Sequence, residues 1–220
     1  MKYKIHRAVV IGAGTMGAAV AAHLANAGVS SWLLDIVPTK LTPEEEARGL
    51  TLQDKVVRNR VVQQGFDRMI KSRPASLLSP DHAGIISVGN LEDNFDVVAN
   101  ADWIIEVIVE NLKIKQELMA RIDAVRSPYA IVSTNTSGIP IASIAEGRSD
   151  GFRQHFLGTH FFNPPRYLKL LEVIPGKETL PEVLKTIIHF GQFRLGKGIV
   201  VCHDTPNFIG SRLAFGGGAF

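Results

Sequence analysis

The sequence predicts an α/β chain with a doubly wound, mainly parallel sheet. Three observations carry that expectation: a β-branched run halted by a glycine-rich turn, a helical run directly after it, and a second apolar run ending in an acid. Ile5-His6-Arg7-Ala8-Val9-Val10-Ile11 reads as the first strand and stops at Gly12-Ala13-Gly14-Thr15-Met16-Gly17. Ala18 to Ala27 reads as a helix with only His23 and Asn26 polar, and Gly28 is placed to cap it. Trp32-Leu33-Leu34 then runs into Asp35.

Strand, glycine turn, helix, strand and acid is the Rossmann-type dinucleotide-binding order. Gly12 allows the tight turn, and Gly14 lets the backbone approach a pyrophosphate. Gly17 lets the helix sit close on the strand, so that the N–H groups around Thr15 and Met16 face the phosphates. Asp35 lies about 20 residues beyond Gly12, where a carboxylate accepts from the adenine ribose hydroxyls. Ile36-Val37-Pro38 follows it, with no Arg to hold a 2′-phosphate, so NAD is favoured over NADP.

Bulk properties fit a small-molecule enzyme. The chain has 220 residues, 45% of them hydrophobic and 20% charged, enough to bury a real core. Its net charge of +3 is mild, and no dense Lys/Arg block with interleaved aromatics points to nucleic acid. Cys202 is the only cysteine, so an internal disulfide is impossible and a reducing compartment is expected. Lys2, Lys4 and Arg7 before an Ala-rich run imitate a secretory signal, but the glycines and Thr15 break the apolar stretch. No uninterrupted run reaches the ~18 apolar residues of a membrane helix. A soluble, cytoplasmic protein is expected, with no metal site.

The elements after Asp35 follow in order. Thr42-Pro43-Glu44-Glu45 has the form of a helix start, and residues 42–72 read as one or two exposed helices projecting from the sheet. This insert is either a solvated appendage or a lid whose Lys55, Arg58, Arg60, Arg68 and Lys71 meet a phosphorylated ligand. Ile85-Ile86-Ser87-Val88 is a strand, and Asp102 to Val109 a second, strongly β-prone one. Glu110 closes that run on the rim where such sheets bind ligands; Glu106, inside it, is equally a helix partner or a paired structural acid. From Asn111 the pattern is helical, with Leu118, Ile122 and Val125 on one face, until Ser127-Pro128. Tyr129 to Thr134 is the next strand. It runs into Asn135-Thr136-Ser137-Gly138, which offers donors to a ligand or, more simply, caps a helix from Ile141 to Ala145.

Chemistry is expected at Gly158 to Val173. Two apolar stretches flank a proline-containing turn, Asn163-Pro164-Pro165, which makes a terminal hairpin. His160 and Glu172 are equidistant from Arg166, so antiparallel pairing about that point brings them opposite each other. A buried His with a carboxylate partner is the usual arrangement of a general base, although a His beside Phe161 and Phe162 also suits a plain core. Beyond lie a helix from Pro181 to Phe193 and a last strand, Ile199-Val200-Val201.

These residues resemble a known family. Gly12-Ala13-Gly14-Thr15-Met16-Gly17, Glu110-Asn111-Leu112-Lys113, Thr134-Asn135-Thr136-Ser137, His160-Phe161-Phe162-Asn163-Pro164, Leu171-Glu172-Val173 and Asp204-Thr205-Pro206 look like the NAD-binding half of 3-hydroxyacyl-CoA dehydrogenases. The likeness is colinear from Arg7 to about Arg212. The long segment after Asp35 and the Asp-Thr-Pro-Asn-Phe-Ile wording look most like bacterial fatty-acid β-oxidation proteins that also carry an enoyl-CoA hydratase domain. The resemblance implies oxidation of (S)-3-hydroxyacyl-CoA to 3-oxoacyl-CoA. It makes His160 and Glu172 the catalytic dyad, Ser137 a catalytic group touching both substrate and nicotinamide, and Asp35, Glu110, Lys115 and Asn163 NAD contacts. The insert falls where the family has a helical arm that touches coenzyme A, which favours the lid.

Two departures stand out. The family usually reads Asp-Thr-Pro-Gly-Phe-Ile/Phe-x-Asn-Arg, its Asn touching substrate; here Ser211 holds that place and Asn207 replaces the Gly, so either is a substrate-contact candidate. The family also continues into an all-helical, dimer-forming domain. Residues 1–204 are thus expected to form the NAD-binding domain and 205–220 the start of a truncated helical one, with a homodimer for the whole protein. A fragment that binds NAD without turnover, a non-catalytic relative of the kind eye-lens crystallins represent, and another reductase of the same fold are the alternatives.

Overall fold

The computed structural model describes residues 3–205. Asn207, Ser211 and the expected opening of a helical domain lie outside the described residues. Among those described, a single eight-stranded sheet runs in the order β3-β2-β1-β4-β5-β6-β7-β8. Its strands are β1 (Arg7–Ile11), β2 (Ser30–Asp35), β3 (Ile86–Asn90), β4 (Trp103–Glu106), β5 (Ile131–Thr134), β6 (Phe156–Phe161), β7 (Leu170–Pro175) and β8 (Gly198–Val201). β1 to β6 pair in parallel, β6 and β7 antiparallel, and β7 and β8 again in parallel. The expected mainly parallel sheet and antiparallel hairpin are both present.

Strands buried on both faces read as near-continuous apolar runs, and this sheet needs helices on both sides. One face is covered by α1 (Thr15–Asn26), α4 (Arg60–Ile70) and α8 (Pro181–Phe193), which contribute Val20, Leu24, Val62, Met69, Val183 and Ile187 to a core with Val10, Leu33 and Trp103. The other face is covered by α5 (Leu112–Val125), α6 (Ile141–Ile144) and α7 (Asp150–Gln154), with Leu118, Ile122, Ile144 and Phe152 packed on Val9, Ile11, Ile104 and Val132. The sheet is doubly wound, as the alternation of elements predicts.

The first crossover depends on missing side chains. Gly12 has φ +108, and a Cβ there would lie 2.4 Å from the Val107 carbonyl oxygen. A Cβ on Gly17 would lie 1.7 Å from the Gly12 carbonyl oxygen, so helix and turn touch backbone to backbone. The buried alanines of α1 let it lie equally close to the sheet.

Two sequence expectations are corrected. The insert does not project as one or two exposed helices. It holds α2 (Pro43–Ala47), α3 (Lys55–Arg58) and α4, and α4 packs on α1 with Val62, Gly65 and Met69 buried. The reason is topological: β2 and β3 are parallel neighbours, so a crossover helix must return across the sheet face, and α4 is that helix. The start of α2 is as read, since Thr42 and Glu45 form a reciprocal capping box. Second, residues 135–138 do not cap α6. Asp204 does, its carboxylate accepting from the Ile141 and Ala142 N–H groups at 2.8 and 2.9 Å. That leaves the polar residues after β5 for other contacts.

Candidate active site

The carboxyl ends of the parallel strands meet the β6–β7 hairpin at one rim of the sheet. At β1 the first turn of α1 opens there, with Gly14 as its N-cap and neither a side-chain cap nor an acidic residue to satisfy its N–H groups. A Cβ on Gly14 would meet no atom within 4 Å, so the backbone at this point is open to a ligand. Asp35 ends β2 beside it, accepting from Ala13 N–H at 2.6 Å and from its own neighbour Ile36 N–H at 2.7 Å. This cradle of bare amides at a helix N-terminus, with an acid alongside, suits a pyrophosphate and a ribose.

The hairpin register sets His160 opposite Glu172, as their symmetry about Arg166 predicts. His160 Nδ1 lies 2.7 Å from Glu172 Oε2, and both side chains are buried. Cys202 Sγ donates to the other oxygen of that carboxylate at 3.5 Å. On the far side of the ring, His160 Nε2 is 3.2 Å from the hydroxyl of Ser137, which itself is exposed. The acid faces Nδ1, so the neutral ring carries its proton there and offers the Nε2 lone pair to the Ser137 hydroxyl. An imidazole with a buried acid at one nitrogen and an exposed serine at the other has the arrangement that general-base chemistry uses.

Ser137 is held by Glu110. The Glu110 carboxylate accepts from the Ser137 N–H at 2.6 Å and the Thr136 hydroxyl at 2.7 Å, and Lys115 Nζ stands 3.2 Å from its second oxygen. Burial works to raise the Glu110 carboxyl, but these donors outweigh it and its pKa lies below the ordinary value.

Glu106 is the paired structural acid of the two alternatives. It is 0% exposed, and its carboxylate accepts from Lys115 Nζ at 2.7 Å, Thr134 Oγ1 at 2.6 Å and Ile108 N–H at 2.7 Å. Lys115, 1% exposed, thereby ties β4 and β5 to the loop carrying Glu110. Local sequence pattern could not show this pairing, because the partners come from a strand, the next strand and the helix between them. Asn135 was also missed as a tie: its Oδ1 accepts from Phe161 N–H at 2.8 Å and fixes β6 beside the end of β5.

Asn163 and the insert meet across a cavity of about 230 Å³, lined by Thr15, Ala18, Arg68, Met69, Arg73 and Asn163. Of the insert's five basic candidates only Arg68 lines it. Arg58 is committed to Asp93 through two bonds of 2.7 Å, and Arg60 to Glu45 and the Lys40 carbonyl. Gly65 makes the approach of α4 possible, since a Cβ there would lie 2.0 Å from the Ala13 carbonyl oxygen. The described residues hold no cluster of three His, Cys, Asp or Glu suited to a metal. No described helix is long and apolar enough to cross a membrane.

A Bacillus subtilis protein named "Probable 3-hydroxyacyl-CoA dehydrogenase" is 53% identical over 213 residues, covering 97% of this chain and 27% of its own length. A Deinococcus radiodurans protein of the same name is 47% identical over 210 residues, covering 96% of this chain and 57% of its own. The crystal structure of a 3-hydroxybutyryl-CoA dehydrogenase from Escherichia coli superimposes with a TM-score of 0.70 at 29% identity, over 96% of this chain and 41% of that one. The chain thus spans 27–57% of the length of these relatives. Residues 7–205 match the family model described as 3-hydroxyacyl-CoA dehydrogenase, NAD binding domain, and the chain belongs to that family.

Proposed function

We propose that the chain carries the redox half of an NAD-dependent oxidation of (S)-3-hydroxyacyl-CoA to 3-oxoacyl-CoA. The observation that carries this reading is the line Glu172–His160–Ser137 at the rim beside the amide cradle of α1. NAD, when bound, supplies the hydride acceptor for C3 of the substrate. The open N-terminus of α1 and Asp35 would hold its pyrophosphate and adenosine ribose, and Asn163 and Glu110 would contact its nicotinamide half.

His160 takes the proton of the 3-hydroxyl at Nε2 as hydride leaves C3, and returns it in the reverse direction. Glu172 keeps Nδ1 protonated and stabilises the imidazolium that forms. Ser137 holds the reacting oxygen against Nε2, replacing its present bond to the ring with one to substrate. Lys115 acts through Glu110, its ammonium being enclosed by Glu106, Glu110 and the Ile108 carbonyl. Arg68 and Arg73 at the cavity support a coenzyme A thioester as the substrate class, since guanidinium groups pair with phosphate. The likeness of the segment after Asp35 to bacterial fatty-acid oxidation proteins supports a place in β-oxidation, alongside a hydratase activity in the same protein.

The test is NADH consumption with acetoacetyl-CoA, run beside a direct NADH titration. Turnover and saturable binding are expected. Binding without turnover would favour a non-catalytic NAD-binding relative, and absence of both would overturn the cofactor site itself.

A further inference from the structure

We propose that Lys197 is a positioning residue, bracing the loop between β6 and β7 so that Asn163, three residues after His160, is held on the wall of the cavity it shares with Thr15 and Arg68. The proposal rests on the dehydrogenase reading above.

Residues 162–169 join the two strands of the catalytic hairpin. Pro164 and Pro165 stand together in this loop and have no N–H to donate, so it offers carbonyls in excess. Tyr167 and Leu168 N–H both donate to the Pro164 carbonyl at 3.0 Å, curling the loop on itself. The Pro165 and Leu168 carbonyls then converge on one ammonium, Lys197 Nζ, the latter at 2.7 Å. That ammonium also stands 5.7 Å from the Phe161 ring, next to His160 in the chain.

Lys197 is a rigid stem for this purpose. It is 5% exposed, its own N–H donates to the Gly191 carbonyl at 2.8 Å, and Gly198 N–H donates to the Lys169 carbonyl at 2.8 Å. The loop is clamped from its other side as well. Arg166 donates to the Ala75 and Leu77 carbonyls at 2.7 and 2.8 Å, and the Tyr167 hydroxyl donates to Ala75 at 3.0 Å. Cations thus hold the loop from two directions, and Asn163, two residues before the first clamped carbonyl, lies on the wall of the cavity that Thr15 and Arg68 share.

The charge itself argues for geometry over stability. Burying an ammonium against neutral carbonyls costs solvation, and an apolar residue of similar volume is often as stable or more so. His23 on α1, which Lys197 helps hold in its neutral form, supplies no negative charge to compensate it. Burial accordingly draws the Lys197 amine down to about 8. A lysine kept at this cost, with both its bonds spent on one loop, is placed to hold that loop.

The experiment compares wild type, Lys197→Met and Lys197→Arg in NADH oxidation with acetoacetyl-CoA, well below each protein's melting temperature. NADH titration and melting are measured on the same samples. Lys197→Met is expected to lower kcat/KM for NADH at least tenfold, since small misplacements of a contact are costly in rate. Lys197→Arg, which keeps the cation, should recover most of that loss. Wild-type turnover with unchanged kcat and KM in Lys197→Met, whatever its melting temperature, would overturn the positioning role alone. No turnover by wild type would sink the dehydrogenase reading and this proposal together. If Lys197→Met does not fold, Lys197→Gln, which keeps a neutral donor on a shorter stem, carries the same comparison.

Discussion

Ser137 Oγ and Glu172 Oε2 approach opposite nitrogens of one imidazole, at 3.2 Å from His160 Nε2 and 2.7 Å from Nδ1. The acid therefore selects the tautomer that the serine, or a substrate hydroxyl in its place, finds at the other end. Glu172→Gln keeps the shape but lets the ring adopt the wrong tautomer. Its kcat should fall by about 10²–10⁴, as should that of His160→Ala, on the scale general-base catalysis supplies. NADH affinity should hold within a few-fold in both. Parallel loss of affinity and rate, measured by titration and steady-state kinetics, would make the pair structural.

Asp35 tests the other end of the site. Its carboxylate already accepts from Ala13 and Ile36 N–H groups, so it shapes the glycine turn as well as facing the ribose position. Asp35→Ala should weaken NADH binding at least tenfold while the far-ultraviolet circular dichroism is unchanged. Wild-type affinity in that variant would remove the ribose assignment.

Gly65 makes a separate claim on the same turn. A methyl group there would drive into the Ala13 carbonyl from 2.0 Å, so α4 or the turn must move. Gly65→Ala should cost about 1–3 kcal/mol, the usual range for overpacking, and should also weaken NADH binding. A helix that gained stability from the alanine with affinity intact would show the contact to be soft.

The fold and the dyad were legible for physical reasons. Strand, turn and helix signals act within a few residues, and the symmetry of His160 and Glu172 about Arg166 is converted into contact by a register that two flanking strands enforce. What escaped was set by topology. Nothing near residues 42–72 shows that a parallel β2–β3 pair will draw α4 onto α1. Nor does any local pattern show that Asp204 will cap a helix 60-odd residues earlier in the chain. The Glu106–Lys115 pair is of the same kind, since a lysine on an exposed-looking helical stretch becomes one of the most buried groups in the molecule.

His23 gives a pH dependence whose sign follows from burial. It lies within α1 with Nε2 bonded to the Leu195 carbonyl at 3.1 Å, and burial foremost, with Lys197 nearby, lowers its pKa from 6.5 to about 4. Between those values the unfolded chain binds a proton that the folded chain refuses. Stability is therefore lost as the pH falls from about 6.5 toward 4. Calorimetry across that range should show a steeper fall in Tm for wild type than for His23→Gln, which has nothing to protonate. Equal slopes would mean that acid unfolding is governed elsewhere.

Lys115 and Glu106 make the sharpest test of how the rim is built. The two charges are buried together, and Lys115 alone also reaches Glu110, which holds Ser137 against the dyad. Lys115→Met strands the Glu106 carboxylate without its cation, a change that costs about 3–5 kcal/mol for buried pairs. Glu106→Gln combined with Lys115→Met removes the stranded charge while Gln keeps acceptor and donor atoms toward Thr134 and Ile108, so the double variant should recover much of the stability. It should not recover turnover, because Glu110 has still lost the ammonium that orients it, and Ser137 moves with Glu110. Denaturant unfolding and steady-state kinetics on the same two proteins separate the effects. Stability and kcat returning together in the double variant would show that Lys115 serves the fold and leaves Ser137 untouched.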